Sequence, residues 1–225
     1  MEIPLFPLPG LVLFPKIVIP LHIFEDRYKQ MINTCIESRE AFGVILVREG
    51  AQEETEQTIH RVGTTAQILE IERLDSGRMN ILCQGESRFK VSRFTQNAPY
   101  WKGNVEFFND DVTDDALLTP LCDELRARYG EAFQLGAQLN AATAAELRLP
   151  ESPVDLSYMI SYVLEIGHEE KQKLLEMSAT DRRVRELLIQ VEEAIVKLKQ
   201  QIAYKDLVKK VRGNGDLGKP GSAHH

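Results

Sequence analysis

Apolar residues change their spacing near residue 112 of this 225-residue chain. Before that point they alternate, or fall in short runs broken by Gly and Pro, which predicts strands. After it they recur every three or four residues, which predicts helices. In the first part, 3–6, 12–14 and 17–22 read as short β-runs separated by Pro7-Leu8-Pro9-Gly10 and by Pro15. Proline removes a ladder donor, so these strands are expected at sheet edges or at sharp bends. Tyr28, Met31, Ile32 and Cys35 give 25–36 helical spacing, and 41–47 is a compact run of strand length. Residues 49–57 hold Glu49, Glu53, Glu54 and Glu56 with little that is apolar, the mark of an exposed, mobile loop.

The clearest hairpin joins 62–73 to 78–91 through Leu74-Asp75-Ser76-Gly77, where Gly77 takes the positive φ such turns need. Met79, Ile81, Cys83 and Gly85 alternate with Asn80, Leu82 and Gln84, so one row points inward, and Leu82 in the other row suggests that both faces are partly covered. Trp101, Gly103, Val105 and Phe107 predict a last strand. Several short strands with one helix predict a small, curved, partly closed sheet.

Beyond residue 112, Leu117, Leu118, Leu121, Leu125 and Tyr129 form one helical stripe, and 141–149 reads as a second helix ended by Pro150. Ser152-Pro153-Val154-Asp155 is a helix start, with Ser at the cap, Pro at the first position and Asp three residues on. That helix carries Tyr158, Met159 and Tyr162 and stops by Gly167; a short helix follows over 169–177. From Thr180, the residues Val184, Leu187, Leu188, Val191, Ile195, Leu198 and Ile202 mark a helix that extends towards Val211. At about 1.5 Å per residue it is roughly 45 Å long, so its C-terminal third is expected to protrude or to pack on another subunit. The fold class expected is α+β. A β-rich lobe with one helix spans 1–111, a helical bundle ending in the long helix spans 112–212, and 213–225 is a Gly-rich flexible tail. Residues 221–225 read as part of an expression tag, so a metal site at His224 and His225 would be an artefact.

Composition narrows the function. The apolar fraction of 43% and charged fraction of 27% are those of an ordinary globular protein. A net charge of -7 without a dense Lys/Arg run argues against nucleic acid. No apolar run reaches the ~18 residues of a membrane span, and Pro4 onward breaks any signal-like core, so a cytoplasmic location and no membrane partner are expected. Cys35, Cys83 and Cys122 are scattered without CxxC spacing and read as reduced, buried thiols; no metal and no cofactor are expected. His22, His60 and His168 stand apart from acids and nucleophiles, and neither G-x-S-x-G nor H-E-x-x-H occurs. The pairs Asp110-Asp111, Asp114-Asp115 and Glu192-Glu193 read as solvated boundaries and helix faces.

Three strings carry a family resemblance. Residues 4–15, PLFPLPGLVLFP, followed by Ile19-Pro20-Leu21-His22-Ile23-Phe24-Glu25, resemble the opening signature of the N-terminal substrate-binding domain of the Lon (La) ATP-dependent protease. Val62-Gly63-Thr64-Thr65-Ala66 through Asp75-Ser76-Gly77-Arg78-Met79-Asn80 resembles its central hairpin, and Gly85-Glu86-Ser87-Arg88-Phe89-Lys90-Val91 its G-x-x-R-F-x-I string. In the helical half, 171–176 and 182–187 resemble the region where Lon sets its connecting helix. The similarity spans about 1–205.

That resemblance implies a PUA-like pseudobarrel followed by a helical lobe, and a unit that in full Lon helps capture unfolded or tagged substrates and supports the hexamer. The chain has no G-x-x-x-x-G-K-[ST] and no serine-lysine peptidase region, so it is expected to be a stand-alone form that binds without catalysing. The leading expectation is a protein- or peptide-binding module, an adaptor in proteolysis or quality control. Its partners would be unfolded or extended polypeptide segments and a protease, with a homodimer through the long helix as a further expectation. The alternatives are a hydrolase whose site is assembled between the lobes and a structural oligomerisation module. Phe14, Pro15, Phe24, Tyr100 and Trp101 are the candidate peptide contacts, because an apolar body with a hydrogen-bonding tip suits recognition; core packing competes for each. Arg88 reads as a structural ion pair or carbonyl contact rather than a ligand contact.

Overall fold

A computed structural model describes residues 1–140 and 146–215, the last five by backbone alone. Six strands, β1 (Glu2–Pro9), β2 (Val18–Ile23), β3 (Phe42–Val47), β4 (Ile59–Arg73), β5 (Met79–Gln96) and β6 (Trp101–Phe107), form one mixed sheet with helix α1 (Asp26–Ser38). The helices α2 (Asp115–Leu139), α3 (Pro153–Val163), α4 (His168–Glu176) and α5 (Thr180–Gly215) follow. The sheet order is β2-β5-β4-β3-β1-β6, and a further pairing of β5 with β6 closes it. Five strands thus make a barrel, while β2 extends the sheet outside it by pairing with the first half of β5.

The barrel is narrow because glycines face its filler. Phe89 is fully buried among Ile3, Leu5, Ile45, Val91 and Val105. A Cβ on Gly43 would stand 2.6 Å from Phe89 Cζ, and one on Gly63 would collide with the Val44 carbonyl oxygen and stand 2.8 Å from Phe89 Cζ. The prolines sit differently from the expected edge placement. β1 carries Pro4, Pro7 and Pro9 yet lies between β3 and β6. It pairs with β6 only over residues 2–5 and with β3 only over 5–9, so each proline has one side free for its missing N–H. Pro20 does lie on an edge strand, β2.

Residues 12–14 form no strand. They leave the sheet and run between the lobes, held by the Thr64 hydroxyl donating to the Leu13 carbonyl (2.6 Å). A side chain at Gly85 would strike the Phe14 carbonyl, so Gly85 is what lets this segment cross β5. Tyr28, Met31, Ile32 and Cys35 of α1 cover the other core, with Ile19, Ile23, Met79 and Ile81. The acidic loop 49–57 is tied to α1: Arg27 donates to Glu54 through Nη1 (2.7 Å) and Nη2 (2.9 Å).

In the helical half, Val184, Leu187, Val191 and Ile195 of α5 meet Leu125 of α2, Leu156 and Ile160 of α3, and Leu174 and Leu175 of α4. Ser152 caps α3 by accepting from the Asp155 N–H (3.3 Å), with Pro153 first. The helix expected over 141–149 falls partly outside the described residues; 146–149 are not helical. α5 has 36 residues, about 54 Å at the usual rise. From Tyr204 to Lys210 it stands largely exposed. The backbone of 213–215, assigned to the tail, continues α5, and 216–225 lie outside the described residues.

Gly63→Ala forces a methyl against a carbonyl and a fixed ring, and overpacking of this kind costs about 2–3 kcal/mol. Urea unfolding, followed by fluorescence of the single, buried Trp101, should show a lowered midpoint with an unchanged slope.

Candidate polypeptide-binding face

The densest polar cluster lies between the lobes. Asp110 receives the Arg88 guanidinium on Oδ1 and the Arg183 guanidinium on Oδ2. The Thr180 hydroxyl donates to Oδ2 (2.6 Å) and the Tyr158 hydroxyl to Oδ1 (3.0 Å). Arg88 also donates to the carbonyls of Leu175 (2.8 Å) and Met177 (2.6 Å), and Arg183 to Met177 O (2.6 Å) and Ser157 Oγ (2.9 Å). Burial alone would raise the Asp110 carboxyl, but Arg183, Thr180 and Arg88 outweigh it and hold the group below the usual carboxylate range. Burial pushes the Tyr158 hydroxyl up to about 12, which keeps it a donor. All these groups are buried and mutually satisfied, so the cluster joins β5 to α3, α4 and α5 and offers nothing to a ligand. Arg88 therefore makes both an ion pair and carbonyl contacts, as its place in the sequence suggested.

Catalytic chemistry finds little support in the side-chain geometry. His60 is buried, with Nε2 3.1 Å from Glu169 Oε2 and Nδ1 3.7 Å from Glu176 Oε1, and among the described residues no hydroxyl or thiol hydrogen-bonds to it. His22 faces Asn80 Oδ1 (2.7 Å), and the His168 ring lies against Gly10. Burial pushes the Cys35 thiol up to about 11, helped by Glu40, and the Cys83 thiol up to about 12, away from thiolate character. Among the described residues no group of three His, Cys, Asp or Glu side chains converges to hold a metal.

The five candidate peptide contacts do not share a surface. Phe14 and Pro15 are buried, Phe14 against Tyr158 with ring centres 6.0 Å apart. Tyr100 lies in the core beneath α1, and Trp101 packs edge-on against Phe94 in the barrel. As placed, these four present almost no side-chain surface to a peptide, because the chain turns inward at 12–15 and again at 100–101. Phe24 alone is exposed, at 60%.

Around Phe24 lies a face that the sequence reading did not assemble. β2, the first half of β5 and the second half of β4 form a three-stranded arm. One side is covered by α1 and the other is bare. On the bare side the register sets Val18 beside Gln84 and Gln67, Pro20 beside Leu82 and Glu70, and His22 beside Asn80 and Glu72. Val18 is 42% exposed, Pro20 is exposed, and Leu82 is half-buried. The Phe24 ring stacks on His22 at 5.9 Å, prolonging the apolar row. Asn80 Nδ2 donates to Glu72 Oε2 (2.7 Å), so His22, Asn80 and Glu72 make a polar rim that separates Leu82 from Phe24. Such a face offers apolar contact framed by hydrogen-bonding groups and holds no reacting pair. Leu82, whose place in the other row of β5 suggested cover on both faces, is instead half-buried on the open side.

A sequence model of the ATP-dependent protease La (LON) substrate-binding domain matches residues 2–193. The chain belongs to the Lon substrate-binding domain family. The Lon protease of Syntrophus aciditrophicus is 27% identical over 192 residues, covering 83% of this chain and 24% of that protein. The Lon protease of Escherichia coli K12 is 23% identical over 210 residues, covering 93% and 27%. The chain thus spans about a quarter of the length of the curated relatives it matches. A crystal structure of a Lon N-terminal domain protein from Xanthomonas campestris superposes with a TM-score of 0.60 at 22% identity, covering 84% of this chain and 98% of that one. The N-terminal domain of the Mycobacterium avium complex Lon protease gives 0.59 at 18%, covering 85% and 98%. At these identities the structures establish the family's fold, a β-lobe followed by helices that end in a long one. What matches is the substrate-binding part of Lon. Among the described residues no helix is long and apolar enough to cross a membrane.

Asp110→Asn leaves two buried guanidiniums without their counter-charge, a change that costs about 3–5 kcal/mol at neutral pH. Because the folded carboxyl titrates below its unfolded value of about 3.9, its contribution is full above that pH and is lost as pH falls through the folded value. The stability gap between wild type and Asp110→Asn in urea titrations should be constant near neutrality and shrink below about pH 4.

Proposed function

We propose that this chain holds extended, apolar polypeptide segments on the bare face of the β2–β5–β4 arm, and that it acts as a substrate-holding adaptor for proteolysis with no catalysis of its own. The observation that carries this reading is the row of Val18, Pro20, half-buried Leu82 and Phe24, left without a covering element on a sheet whose opposite side packs against α1. Exposed apolar rows with a polar rim mark binding sites. β2 is also an edge strand, so a segment can lie across the face and still reach unpaired backbone groups. Family membership supports polypeptides as the ligand class. The raised thiols, and a His60 that among the described residues faces only Glu169 and Glu176, favour binding over hydrolysis. The partner protease would receive the segment from this face, since nothing on the arm can cut it.

Fluorescence anisotropy with a labelled, permanently unfolded protein tests the reading. Wild type should bind in the micromolar range. Phe24→Glu with Leu82→Glu should weaken binding about 10-fold or more while leaving the thermal melt in place, because neither side chain is buried. Absence of wild-type binding at high micromolar concentration, or equal binding by the double variant, would remove the arm as the site.

A further inference from the structure

Helix α5 is apolar on two opposite sides. Val184, Leu187, Val191 and Ile195 are buried in the helical lobe. On the far side, Ile189 is 55% exposed, Val196 47% and Leu207 59%. Ile189, Val196 and Ala203 are seven residues apart, and Gln200 and Leu207 continue the same face, the spacing of a helix–helix seam. With Arg128 of α2, the Ile189–Val196 stretch lines an open groove of about 780 Å³. Its charges are ordered along the helix axis: Glu192 and Glu193 precede Val196, and Lys197 and Lys199 follow it. Arg128 lies 3.8 Å from Glu192, and Lys199 2.8 Å from Glu131, so the α2 side of the groove is already paired within the chain. Glu193 and Lys197, on the other side, have no ion-pair partner among the described residues.

We propose that this stripe is a self-association surface and that two copies of the chain pack α5 against α5, antiparallel, about a dyad beside Val196. In that arrangement the two Val196 side chains meet near the axis. Glu193 of each copy then lies beside Lys197 of the other, twice, by symmetry. A parallel arrangement would set Glu193 beside Glu192 of the other copy and Lys197 beside its Lys199, like charge on like, so the charge order selects the antiparallel pair. A surface built of one apolar row and charges that reverse about its own midpoint is complementary to itself, as a two-fold interface requires. Variable polypeptide substrates share no such order. About that dyad Ile189 of each copy meets Ala203 of the other, so the shared seam runs about 21 Å. This inference rests on α5 alone and is separate from the proposed role of the arm.

Sedimentation velocity on the full chain, at micromolar concentration and low salt, provides the test. Wild type should sediment at twice the monomer mass. Ile189→Glu with Val196→Glu should be monomeric with an unchanged thermal melt, since both side chains point to solvent. Glu193→Lys alone should weaken the dimer about 10-fold or more by setting like charges together. Adding Lys197→Glu to it should restore dimerisation, because the exchange rebuilds both ion pairs with their signs reversed. A monomeric wild type, a dimer indifferent to the apolar-stripe variant, or a double exchange that fails to restore association would each overturn the proposal. So would a monomeric wild type whose stripe variant loses unfolded-protein binding, an outcome that assigns the groove to polypeptide instead. Apart from that last outcome, these results leave binding at Phe24 and Leu82 untouched.

Discussion

One carboxylate between two guanidiniums decides how the halves of this molecule sit. Asp110 lies just beyond the last strand, Arg88 in the middle of β5 and Arg183 in the first turn of α5, and all three are removed from water. Withdrawing such charges is expensive, and only close to complete hydrogen bonding offsets it. The Thr180 and Tyr158 hydroxyls and the carbonyls of Leu175 and Met177 supply that. The arrangement is selective rather than merely cohesive. A shift of the helical lobe by even a fraction of a helical turn would strand a charge in the interior, so few competing lobe positions are tolerable.

That fixity bears on function. The bare side of the arm is continuous through β5 with the strand segment that carries Arg88. A platform for loosely structured ligands gains from being rigid itself, since the ordering cost then falls on one partner only. In the proposed role the arm would supply shape and apolar contact, while the ion cluster ties the strand beneath it to the helices.

Much of this was readable from spacing. The central hairpin, α1, the Ser152-Pro153 helix start and the long α5 follow from period and capping chemistry, which are local. The string Gly85-Glu86-Ser87-Arg88-Phe89 was visible as a motif, but its meaning was not. Gly85 admits the Phe14 carbonyl, Arg88 reaches Asp110, and Phe89 fills the barrel. Each of these jobs is done against residues distant in sequence, so no window could contain it. Residues 12–14 looked like a strand because a buried crossing segment and a buried strand have the same composition. Tyr100 and Trp101 looked like recognition residues for the same reason that aromatic residues fill cores: area. The bare face escaped notice because it is composed across three strands, and only the register reveals which residues share it.

The path of the first fifteen residues has a kinetic corollary. β1 must wait for β6 to close the barrel, and Phe14 must wait for Tyr158 of α3. At a ribosomal pace of about 5–20 residues per second, β1 emerges roughly 5–20 s before the strand that completes its barrel. Throughout that interval residues 2–5 of β1 and the Phe14 ring stand without these partners. A molecule proposed to hold uncovered segments of others thus passes through a stage as one of them.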